Sequence, residues 1–134
     1  MEYGIPLECL PEAVQRVREV TKHLSFPSLF PIEVRVSAAD DIALSTGFGR
    51  LNGWVAVHQY VGAPYESYFQ QVADIMDSYG GRPHWGKMHY LKAAQLCERY
   101  PRWGEFQQLR TTLDPDGIFR NEYADRVLGM PNAK

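Results

Sequence analysis

Residues Tyr65, Tyr68, Phe69, Val72, Ile75, Met76 and Tyr79 recur at intervals of three and four. That spacing sets large apolar side chains along one stripe of a helix opening at Pro64. A stripe this regular has to be buried against a partner surface, and alternating stretches elsewhere in the chain supply a sheet to receive it. Gly80-Gly81 caps the helix, because glycine adopts the left-handed backbone of a helix end without a Cβ penalty.

Pro31 to Ser37 alternates strictly, with Ile32, Val34 and Val36 on one side and Glu33, Arg35 and Ser37 on the other. This is the pattern of a half-buried strand. Trp54 to Val61 predicts a second strand, antiparallel to the first and joined to it by the polar, Gly-rich connection from Asp40 to Gly53. Met1 to Pro6 reads as a short strand stopped by a residue with no backbone donor. Its abrupt start predicts that the chain is the back part of something longer.

Between these strands Val14, Val17, Val20 and Leu24 mark an amphipathic helix from Pro11, ending at Ser25-Phe26-Pro27-Ser28. A short helix at Ala93–Cys97 follows, then one on Trp103, Phe106, Leu109 and Leu113 that stops at Asp114-Pro115-Asp116-Gly117. The order strand, helix, strand, strand, helix and helical tail predicts an α+β fold. Its expected form is an antiparallel sheet with helices packed on one face and a helical C-terminal tail. With 45% apolar residues, residues 1–134 are expected to form a single domain that buries its own core.

Bulk properties exclude several classes. A net charge of -2 gives no field that draws phosphate backbones, so nucleic acid is not an expected partner. Cys9 and Cys97 are too few for a disulfide framework or a zinc site; both are expected as reduced core thiols, and no metal site is expected. No apolar run approaches ~20 residues and no leader pattern opens the chain. A cytoplasmic protein fits, with peripheral membrane contact left open. The Gly-rich connection is neither a phosphate loop nor a dinucleotide fingerprint, because it lacks Gly-Lys-Ser/Thr and the strand–turn–helix context.

The polar chemistry gathers in two places. Gly80-Gly81-Arg82-Pro83-His84-Trp85-Gly86-Lys87 reads as a loop, since a Gly-Gly-Arg-Pro run cannot continue a helix, and it sets a ring, an indole and an ammonium within four residues. The plain alternative is a packed His–Trp pair. Glu33 and Arg35 lie about 7 Å apart on one strand face, close enough to share a cleft; the alternative is a solvated face with an ordinary ion pair. Antiparallel pairing is expected to bring His58 or Gln59 near that pair.

Three separated patterns coincide with one family: Glu33-Val-Arg35 on a strand, Arg82-Pro-His-Trp-Gly-Lys87 after a helix, and Asp114-Pro-Asp-Gly-Ile-Phe-Arg-Asn121 with Tyr123 beyond. Together with Met1-Glu2-Tyr3-Gly-Ile-Pro6 they resemble the C-terminal substrate domain of the FAD-linked aldonolactone and alditol oxidoreductases. The gulonolactone and D-arabinono-1,4-lactone oxidases, in the vanillyl-alcohol oxidase superfamily, are of this kind. The resemblance implies a chain that covers the flavin ring and contacts a sugar lactone or alditol, with FAD held mainly by an N-terminal half absent from this sequence. It also implies little turnover for the piece alone, and self-association through surfaces that normally meet the FAD half. By the same resemblance Glu33, Arg35, Lys87 and His58 would bind substrate. Lys87 and His84 would be catalytic, and His84 would also meet the cofactor. Arg35 and Lys87 can donate to substrate oxygens, Glu33 can accept from a hydroxyl or hold Arg35, and a neutral His84 could accept a proton. The alternative is a stand-alone α+β binding or interaction module without catalysis.

Overall fold

Strand β1 (Glu2–Pro6) divides the molecule into two faces, because its successive side chains point to opposite sides of the sheet. The computed structural model describes residues 1–26 and 30–130; the stop expected at Pro27-Ser28 lies outside them. β1 is joined by β2 (Glu33–Ser37), β3 (Asn52–Ala56) and a two-residue β4 (Arg82–Pro83) in the spatial order β2-β3-β1-β4, all antiparallel.

Tyr3, Ile5 and Val55 form the apolar face and are buried. Helices α1 (Leu10–Lys22) and α2 (Glu66–Ser78) cover it with Ala13, Val17, Val72 and Met76, so the stripe meets a sheet as its spacing requires. Burying a side chain such as Ile5 completely contributes roughly 1.5–3 kcal/mol. Gly53 keeps that contact close: a Cβ there would stand 2.7 Å from Leu10. Gly80 adopts a φ of 62° past the end of α2, and the Gly81 N–H returns to the Met76 carbonyl at 2.9 Å.

The second face carries Glu2, Gly4, Asn52, Trp54, Glu33 and Arg35. The 40–50 connection lies over part of it, with Asn52 Nδ2 donating to the Thr46 carbonyl at 2.9 Å. Beyond β4 the chain continues through α3 (Ala93–Leu96), α4 (Trp103–Leu113) and α5 (Glu122–Leu128), the helical tail. No helix among the described residues is long and apolar enough to cross a membrane.

Three local expectations change. β2 is not half-buried: Val34 and Val36 are 46% and 67% exposed, because β2 is the outer strand of the sheet. β3 begins at Asn52 and stops at Ala56, short of the expected Val61, as the chain turns at Tyr60–Ala63 through Gly62 at φ 85°. Arg82-Pro83 is a strand fragment paired with Gly4 and Tyr3 rather than open loop; a proline fits there because an edge strand can do without its N–H. Of the two cysteines, Cys97 is exposed and so is not a core thiol.

Candidate functional site

Glu2 is a carboxylate in a central strand, 1% exposed. A charge so placed needs opposite charges around it. It has two. The Arg35 guanidinium donates to Oε1, and Lys87 Nζ stands 2.5 Å from Oε2 as an ion pair. Burial pushes the Glu2 carboxyl up, yet Lys87 and then Arg35 outweigh it and hold the group below the usual carboxylate value.

Register explains the meeting. Ala56 of β3 pairs with Glu2 on one side and Glu33 on the other, so these three share a row; Arg35 lies one step along, opposite Trp54. The small Ala56 leaves room for Arg35 to reach across β3. Glu33 lies 3.9 Å from Arg35, with about half of its side chain exposed. Arg35 is therefore held mainly by Glu2, and Glu33 is left with free acceptor capacity.

A cavity of about 360 Å³ opens on this face, lined by Glu2, Arg35, Val36, Ser37, Trp54 and His84. Trp54 is fixed by its indole N–H, which donates to Ser37 Oγ at 2.9 Å. His84 is exposed, and its Nδ1 accepts the Gly86 N–H at 3.1 Å. A nitrogen that accepts carries no proton, so the neutral ring holds its proton on Nε2 and presents a donor. Lys87 lines a second groove, with Trp85, His89, Tyr123 and Arg126 among others. Glu2 lines the cavity and is linked to the groove through its ion pair with Lys87.

The loop bearing His84 and Lys87 is tied down at several points. The Trp85 indole donates to the Leu44 carbonyl at 2.9 Å and stacks on Tyr100 with centroids 5.2 Å apart. Tyr123 of α5 donates its hydroxyl to the Trp85 carbonyl. The Asp114–Asn121 motif launches that helix: Asp114 accepts the Ile118 and Phe119 N–H groups, and Asn121 caps α5 by accepting the Ala124 N–H at 2.8 Å.

The structure therefore brings Arg35, Lys87 and His84 around one carboxylate, with Glu33 at the margin. His58 is not among them. In the β2–β3 register each step beyond Ala56 falls before Glu33, so His58 lies past the pair's end, with its ring 6.0 Å from that of Phe30. The paired rows end at Glu33 and Ala56, so the register places neither His58 nor Gln59 directly opposite Glu33 or Arg35. Sequence reasoning missed Glu2 as a site group, although its position in an alternating strand was a signal. It also missed His89, two residues past Lys87. His89 is buried, its Nε2 lies 3.3 Å from the Tyr123 hydroxyl, and desolvation followed by the nearby Arg126 lowers its pKa to about 4.

Comparison with known proteins places this arrangement in context. A family model described as D-arabinono-1,4-lactone oxidase matches residues 1–127. The L-gulono-1,4-lactone dehydrogenase of Mycobacterium tuberculosis is 57% identical over 129 residues, covering 96% of this chain and 30% of the relative. The L-gulonolactone oxidase of Mus musculus is 32% identical over 94% of the chain and 30% of its own length. An alditol oxidase of a Streptomyces species is 35% identical over 95% of the chain and 31% of its own length. The chain matches the C-terminal part of these relatives and spans about three-tenths of their length.

Proposed function

The chain belongs to the D-arabinono-1,4-lactone oxidase family, and from that premise we propose that it is the substrate-facing C-terminal part of an FAD-dependent oxidoreductase acting on a sugar-derived lactone or polyol. The observation that carries this reading is the convergence of Arg35 and Lys87, from distant parts of the sequence, on the buried Glu2 beside a cavity. At about 360 Å³ the cavity lies near the lower end of the range for small-ligand pockets, roughly 300–1,000 Å³. It suits a single sugar ring and not a whole dinucleotide, which supports FAD being held mainly by a partner domain in the same enzyme.

The bound flavin would supply the hydride acceptor. This chain's residues would supply orientation and hydrogen bonds. Arg35 and Lys87 are donors suited to substrate oxygens, where negative charge grows as a hydroxyl becomes a carbonyl. Glu33, with Arg35 already satisfied by Glu2, is the acceptor available to a substrate hydroxyl. His84 presents Nε2–H, so its role is to donate toward substrate or cofactor oxygen rather than to take a proton. Trp54 forms an apolar wall against which a sugar face can lie.

The test is a hybrid in which this chain replaces the corresponding C-terminal part of the mycobacterial dehydrogenase, assayed by stopped-flow flavin reduction with gulonolactone, arabinonolactone and alditols. Arg35→Met and Lys87→Met should each slow reduction by on the order of a hundredfold. Reduction at the parent rate in both variants would refute the reading.

A further inference from the structure

Packing alone would be served better at position 2 by an apolar residue, because a buried charge is stable only with well-placed partners. Glu2 nevertheless occupies the central strand with both oxygens engaged, one by a cation from the outermost strand β2 and one by a cation from the loop after β4. Ala56, in register with both Glu2 and Glu33, keeps the path across β3 open for Arg35. These two features converge on a shared purpose. We propose that Glu2 is a positioning residue, whose buried carboxylate sets the separation and aim of Arg35 and Lys87 so that both cations are presented together to substrate oxygens. The proposal rests on the reading of Arg35 and Lys87 as substrate-binding groups.

The physical logic is one of restraint. Arg and Lys side chains have many rotamers, and two cations brought to one place repel each other. A single immobile anion between them offsets the repulsion and removes much of the freedom of both heads. Glu33 cannot replace it. It is half-exposed and 3.9 Å from Arg35, and among the described residues it pairs with no other cation. With Glu2 neutral, each cation would swing toward water while Tyr3 and Ile5, on the other face of the strand, stay packed.

The experiment is a double-mutant cycle in the hybrid flavoenzyme, with flavin reduction at saturating lactone and the melting midpoint as separate readouts. Glu2→Gln should slow reduction roughly 10- to 100-fold, a loss of the size expected from misplacing reacting groups. In an Arg35→Met/Lys87→Met background the same substitution should slow it no more than about twofold further, the limit of ordinary additivity. Reduction by Glu2→Gln at the parent rate overturns the proposal, as does an equal slowing in both backgrounds, which is what a merely structural role gives. If Arg35→Met and Lys87→Met leave reduction unchanged, the substrate-site reading fails and takes this proposal with it. Where Glu2→Gln does not fold, Glu2→Asp replaces it: the charge stays, the reach shortens by one carbon, and the same outcomes decide.

Discussion

The guanidinium of Arg82 lies 5.3 Å from the ring centroid of Tyr100, with both side chains buried. Its N–H groups donate to the carbonyls of Arg99, Thr46 and Phe48 at 2.8 to 3.1 Å, so one side chain ties β4 to the 40–50 connection and to the turn before α4. Arg82→Met leaves those carbonyls without a charged donor and should cost about 3–5 kcal/mol in urea unfolding of the chain. Arg82→Lys should recover little, since an ammonium cannot match the planar fork over the ring. Full recovery by lysine would contradict this account.

Two glycines should respond oppositely to alanine. A Cβ at Gly81 would come 2.6 Å from the Met76 carbonyl oxygen, a backbone atom that cannot step aside. Gly81→Ala should therefore destabilise by at least about 2 kcal/mol, within the range of overpacking. Gly104, inside α4, has nothing within 4 Å of its would-be Cβ, and Gly104→Ala should stabilise by roughly 0.5–1 kcal/mol. Denaturant midpoints of the two variants give the comparison directly.

His89 predicts a specific acid sensitivity. Buried between Tyr123 and the charged Arg126, it is neutral in the fold down to about pH 4, whereas the unfolded chain takes up the proton near 6.5. A lowered folded pKa means that the unfolded state binds more protons between those values. Stability from this group is therefore complete above pH 6.5 and falls as pH drops toward 4, by up to about 3 kcal/mol. His89→Gln should flatten that slope in unfolding midpoints taken from pH 7 to 4.5, and equal slopes in the two proteins would remove His89 as the cause.

Asn121→Ala removes the side-chain acceptor at the start of α5 and should cost about 1 kcal/mol. Because α5 carries Tyr123, which donates to the Trp85 carbonyl, the loss should also raise amide exchange in the 84–87 segment. Protection there identical to that of the parent would show the two segments to be uncoupled.

The elements with strong periodicity were legible in the sequence. α2 and α4 fall where their apolar spacing puts them, and β1 ends at Pro6 as a missing donor requires. Edge position was not legible. Val34 and Val36 alternate like inward residues, yet burial depends on whether a helix reaches that far across the sheet, which no local pattern encodes. The site was half legible for the same reason. Arg35 and Lys87 stood out by residue type, while Glu2 looked like any charge on a strand until the register put it under both. His58 and Gln59 fall beyond the last paired row, Ala56 with Glu33, and no alternation in the sequence marks where that pairing ends.

The row of amide and carbonyl groups along the outer side of β2 faces no other strand among the described residues. Backbone in that state is a template: any extended segment of matching length can zip onto it, and Val34 and Val36 reward the arrival. On the chain by itself it should drive concentration-dependent clumping, and Val34→Lys, at an exposed position that does not line the cavity, should restore a monodisperse profile in light scattering.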